Sequence, residues 1–109
     1  MGKDKSESEH DSCTIAGVTR EDRCWVSGFC GTCKFEAKVY DTGSGYGIND
    51  GRVSKLSVWY TKKTAGKTVK ITIVNYDRGW DIMPKTEDEH RIFSAILAAM
   101  EALPQETSE

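Results

Sequence analysis

Thr32 to Tyr40 reads TCKFEAKVY, and apolar and polar residues alternate along it without a break. Cys33, Phe35, Ala37 and Val39 fall on one side, Lys34, Glu36 and Lys38 on the other. Successive side chains leave a pleated strand in opposite directions, so this period of two marks a β-strand with one dry and one wet face. Working back, Arg23 to Phe29 (RCWVSGF) is a second strand, joined to the first by Cys30-Gly31. Two residues ending in glycine suit a type I′ hairpin turn. That turn sets Gly28 opposite Cys33, Val26 opposite Phe35 and Cys24 opposite Ala37, all on the dry face.

Working forward, Asp41 to Arg52 (DTGSGYGINDGR) holds four glycines and is a loop. Val53 to Tyr60 is a third strand, with Leu56, Val58 and Tyr60 facing one way and Val53, Lys55, Ser57 and Trp59 the other. Val69 to Tyr76 is a fourth, with Val69, Ile71 and Ile73 as its apolar row, and Asp77 to Pro84 (DRGWDIMP) is a second loop. Thr86 followed three residues later by Glu89 is a capping box, and Glu87 and Asp88 favour the positive end of a helix. Ile92, Phe93, Ile96, Leu97, Met100 and Leu103 then form one apolar stripe at helical spacing. The stripe needs a cover, and the dry sheet face supplies it. The expected fold is α+β: a four-stranded antiparallel sheet built from two hairpins, with one C-terminal amphipathic helix packed on one face.

The 109 residues make one domain with a modest core. Residues 1–22 are expected to be a disordered acidic arm, 23–103 a single ββββα domain and 104–109 a disordered tail. The net charge of −2 hides a basic middle, since residues 23–83 carry ten Lys and Arg against five Asp and Glu while both flanks are acidic. A basic centre points mildly to an anionic partner. No apolar run approaches the ~18 residues of a membrane span, and no apolar leader opens the chain. The expectation is therefore a reducing cytoplasm, without disulfides.

The cysteines, Cys13-x10-Cys24-x5-Cys30-x2-Cys33, invite a zinc reading. The hairpin register argues against it: Cys24 lies roughly 13 Å along the ladder from the residue opposite Cys33, too far for one metal. Cys24 and Cys33 are expected as small core residues, Cys30 as an exposed turn thiol and Cys13 as part of the arm. No metal site and no cofactor are expected. The loop GSGYG (43–47) leads into a strand and not a helix, so it lacks the form of a phosphate loop. Its length in so small a domain still marks Asp41, Tyr46, Asn49, Asp50 and Arg52 as candidate binding residues.

No catalytic set is visible; His10 lies in the arm and His90 in the first helical turn. The wet face is the other candidate. Trp25, Tyr40, Trp59 and Tyr76 are expected there among Lys34, Lys38, Lys55 and Lys70, as on sheets that stack single-stranded bases and hold phosphates. The same rings could instead meet a protein partner or be covered within the chain. Trp80, after Arg78-Gly79, is either a plug on the sheet edge or a partner anchor. The plug is preferred because Ile82 and Met83 follow directly.

The segments WVSG, FEAKVYDTGSGYGINDGRVSKL and NYDRGWD, followed by an amphipathic helix, resemble a family of small uncharacterised proteins encoded by phages and prophages of Gram-positive bacteria. The resemblance covers Trp25 to Leu103, and its most specific parts are the loop and NYDRGWD. It brings no catalytic residue, and its members usually lack these cysteines. It implies a non-enzymatic accessory protein that binds a host or phage protein and modulates a host or defence system. The expected contact surface is the 41–52 loop, the 77–81 loop and the aromatic wet face. The alternative is a single-stranded nucleic-acid-binding module using that same face.

Overall fold

The computed structural model describes residues 14–20 and 24–104. Six strands follow one another: β1 (Ile15–Arg20), β2 (Trp25–Cys30), β3 (Cys33–Val39), β4 (Val53–Thr64), β5 (Lys67–Asp77) and β6 (Trp80–Ile82). Helix α1 (Glu87–Glu101) closes the fold. Every strand pairs antiparallel with its sequence neighbours, so the sheet is a plain meander. The fold is α+β as expected, but with six strands and not four. The two additional strands lie in the segment read as a disordered arm and in the 77–84 loop. β1 is mostly exposed and held largely by its ladder with β2, so hydrophobic patterning could not reveal it. β6 has only three residues, too few for a period to show.

The turn joining β2 and β3 is Gly31-Thr32, one residue later than expected, because Cys30 pairs directly with Cys33. Gly31 alone takes a positive φ (63°), which fits a type II′ turn with glycine first. The shift pairs Val26 with Ala37 and Gly28 with Phe35, yet it leaves each dry set facing the other. It also moves Cys30 from an exposed turn into the core, where it is 1% exposed. Cys30 is disulfide-bonded, which corrects the expectation of free thiols throughout. Compartment reasoning could not see that β1 begins opposite Cys30. Cys24 and Cys33 are free, and Cys13 lies outside the described residues.

Two bulges change which side chains reach the core. On β4 the pairing runs from Lys38↔Lys55 to Val39↔Val53, so Ser54 is an extra residue and Val53 joins the dry face. On β5 it runs from Val58↔Val74 to Trp59↔Thr72, so Ile73 is extra. An extra residue reverses the alternation beyond it. Val74 and Tyr76 therefore turn inward with Leu56 and Val58, and Tyr76, expected on the wet face, is buried. Val69, expected in the apolar row, is exposed, because β4 and β5 run on past the end of β3 as a two-stranded ribbon.

Helix α1 packs its stripe against this core, with Ile96 and Met100 fully buried. The Thr86 hydroxyl accepts from the Glu89 amide at 3.0 Å. Glu89 in turn accepts from the Lys85 amide at 2.7 Å, one residue before the partner that a capping box uses. The other end has no basic residue of its own, and Arg52 supplies one from the start of β4. Its guanidinium donates to the carbonyls of Glu101 and Leu103, both at 2.7 Å, and to that of Tyr40 at 2.8 Å.

Candidate functional site

The helix covers one face of the sheet, and no other described helix or strand lies across the opposite face. Cross-strand pairing arranges that open face in rows. One row runs Phe29–Lys34–Trp59–Thr72, the next Ser27–Glu36–Ser57–Asn75, and the last Trp25–Lys38–Lys55–Asp77. Ring and lysine alternate in the first row, Trp25 is followed by two lysines in the last, and lysines fold over the rings. Lys70 Nζ lies 4.4 Å from the Trp59 ring centre, Lys34 Nζ 5.8 Å from Phe29, and Lys38 Nζ 5.7 Å from Trp25 and 5.6 Å from Tyr40. Each is a cation–π contact within reach of the ring quadrupole.

The β4–β5 ribbon extends this charge. All ten residues 61–70 are exposed, and they include Lys62, Lys63, Lys67 and Lys70 with no carboxylate among them. Its Ala65-Gly66 turn has positive φ at both positions, which suits a tight type I′ connection.

At the other end of the face, the Trp25–Lys38–Lys55–Asp77 row meets the 41–52 loop. That loop is compact, with the Ser44 amide bonded to the Gly51 carbonyl at 3.1 Å and a 3₁₀ turn at Ile48–Asp50. Ile48 is buried, and the buried Tyr76 hydroxyl donates to the Tyr46 carbonyl at 2.9 Å. The result holds Tyr46 outward, 62% exposed, with the Arg78 guanidinium 5.7 Å from its ring centre. Between loop and sheet lies a cleft of about 240 Å³ lined by Lys38, Tyr40, Ser44, Tyr46, Ser54, Lys55 and Arg78.

Of the residues singled out in the sequence, Trp25 and Trp59 lie on the open face, and Tyr46 and Arg78 at its cleft. Asn49 and Asp50 are exposed on the far part of the loop, both in left-handed backbone, and Asp41 is half-buried. Three others are occupied within the fold. Arg52 holds the helix end, Tyr76 anchors the loop, and Trp80 packs edge-on against Tyr76 at 5.1 Å and Phe93 at 5.4 Å between ring centres. Ser44 and Ser54 were missed. Val53, an apolar residue out of phase with Leu56 and Val58, was the available sign of the bulge that turns Ser54 aside.

Among the described residues, no group of three or more His, Cys, Asp or Glu side chains is placed to hold a metal ion. Burial pushes the Cys33 thiol up from its ordinary value, with the Glu89 carboxylate adding to the effect, so it is a poor nucleophile. No helix of the described chain is long and apolar enough to cross a membrane. The arrangement gathers flat rings, ammonium groups and a basic recess on one surface.

No curated protein matches the chain, and no solved structure does. Residues 24–101, from the residue before β2 to the end of α1, match DUF7678, a domain of unknown function, and the chain belongs to that family.

Proposed function

We propose that this domain binds single-stranded nucleic acid across its open sheet face. Bases stack on Trp25 and Trp59, and phosphates run along Lys34, Lys38, Lys55 and Lys70, with the ribbon lysines adding to the attraction. The observation behind this reading is the set of lysines seated over rings on the face that no other described helix or strand covers. A base can replace an ammonium group on a ring, and the displaced ammonium is then beside the phosphate it neutralises. A protein interface core fits less well, because such cores are depleted in lysine. The setting we infer is a phage or prophage accessory role in the cytoplasm of a bacterial host.

A second reading, contact with a host or phage protein that it modulates, draws on a different surface. Trp80, 39% exposed, and Met83, 54% exposed, both lie at or just beyond the β6 edge. Salt separates the two readings. Affinity for a fluorescent oligo-dT should fall with log[salt] at a slope of about −3, as expected for roughly four phosphate contacts at about −0.7 each. Trp59→Ala and Lys70→Glu should weaken it, whereas Trp80→Ala should not. Absence of oligonucleotide binding at low salt would overturn the reading.

A further inference from the structure

We infer that the cleft between the 41–52 loop and the sheet is a seat for a phosphate monoester, such as the terminal phosphate of a bound strand; this rests on the nucleic-acid reading. Three cationic side chains from separate elements converge on it: Lys38 from β3, Lys55 from β4 and Arg78 from the β5–β6 turn. Among the described residues, no carboxylate lines it. Lys55 shares its charge with Asp77, 3.5 Å away, so among the described residues the recess carries a net charge of about two positive units. A phosphate monoester carries about −1.5 to −2 at neutral pH, and a backbone diester only one charge. The recess therefore matches a strand end better than a strand interior.

The hydroxyl of Ser54 provides an independent sign. Ser54 is 2% exposed, lies in the lining of the cleft, and its Oγ has no hydrogen-bond partner among the described residues. A buried hydroxyl without a partner is costly and rare in a folded domain. The wall of the cleft thus includes a residue whose hydroxyl has unused hydrogen-bonding capacity. At about 240 Å³ the space is smaller than the about 300–1,000 Å³ that enclose a whole small ligand, so it suits one end of a larger molecule.

The cleft is also preformed. The Arg78 amide donates to the Ser54 carbonyl at 2.9 Å, tying the turn to the bulge. Arg78 holds φ at 59°, a left-handed conformation that glycine would adopt without strain. That backbone places its guanidinium along the Tyr46 ring, at the rim of the cleft.

Two substitutions test the seat without threatening the fold. Ser54→Ala removes an unpaired hydroxyl, and Arg78→Gly relieves a strained residue, so neither should lower the melting temperature. Titration calorimetry would compare one oligonucleotide with a 5′-phosphate, with a 3′-phosphate and with hydroxyl ends, alongside inorganic phosphate. A terminal phosphate should tighten binding about tenfold, the value of one charged hydrogen-bond set, and each variant should abolish that gain while leaving the hydroxyl-ended strand unaffected. Equal affinity for all the strands would overturn the inference and leave the nucleic-acid reading standing. Binding of inorganic phosphate that both variants abolish, with no strand bound, would keep the seat and reject the nucleic-acid reading. No phosphate effect in any arm would overturn the seat.

Discussion

The Arg52 guanidinium donates to the Glu101 main-chain carbonyl at 2.7 Å, while the Arg52 amide donates to the Glu101 carboxylate at 2.8 Å. One residue of the sheet thus grips one residue of the helix at both its backbone and its side chain. The last carbonyls of a helix lack partners within it and carry partial negative charge, so a guanidinium there satisfies both needs. Arg52→Ala should cost about 2–3 kcal/mol, the usual range for charged hydrogen bonds lost from a part-buried site. Arg52→Lys should recover only part of this, because an ammonium cannot span the carbonyls of Tyr40, Glu101 and Leu103 with a fork. Urea denaturation of the three proteins checks the order.

The 41–52 loop depends on close backbone approach at Gly47. A Cβ on Gly47 would overlap the Gly51 carbonyl, whereas a Cβ on Gly45 meets nothing within 4 Å. Gly47→Ala should therefore lower the melting temperature by several degrees, and Gly45→Ala should leave it unchanged or raise it slightly. Equal effects would show that the loop does not hold this shape in solution.

Trp80 carries stability through its edge-on contacts with Tyr76 and Phe93. Each such pair contributes about 0.5–1.5 kcal/mol beyond the buried area. Because the ring is 39% exposed, Trp80→Ala should cost about 2–3 kcal/mol, less than the about 3–5 kcal/mol of a fully buried aromatic. Phe35→Ala, at a residue 1% exposed, should reach that upper range and serves as the comparison within the same chain. Thermal or chemical denaturation gives both values.

Cys33 gives a pH dependence whose sign follows from its burial. The folded state holds the thiol protonated above its ordinary value of 9.0. Above the unfolded pKa the unfolded chain has lost a proton that the native state keeps, so stability falls as pH rises through that point. The advantage of wild type over Cys33→Ala should therefore be constant below about pH 8 and shrink above about pH 9. Timed alkylation followed by mass spectrometry adds a second check: Cys24, half-buried, should react before Cys33.

Much of this was legible in the chain because the signals are local. The faces of β2 and β3 follow from alternation in TCKFEAKVY, and α1 from its Thr86 cap and apolar stripe. Ser54 and Ile73 were not legible as bulges, since one extra residue leaves composition unchanged and only reverses the phase beyond it. The clue was there in two runs of opposite phase, Val69–Ile71–Ile73 and Val74–Tyr76, meeting in one strand. At the candidate site the same limit applies. Trp25 and Trp59 were placed by period alone, whereas Arg52 and Tyr76 take their roles from carbonyls 51 and 30 residues away, and Trp80 from ring packing that no local pattern encodes. The separation for Trp80, from its partner Tyr76, is short, but the third ring comes from the helix.

A meander has a kinetic consequence. Every strand pair joins neighbours in sequence, from β1–β2 through to β5–β6, so the sheet can form by successive short closures. Little chain entropy is spent before the first contacts form, and chains of low contact order reach the native state sooner than sandwiches of similar length. The helix comes last in the chain and reaches back to β1, β3 and β4. Its docking is the one step that must span the molecule, and Arg52 is where that step locks.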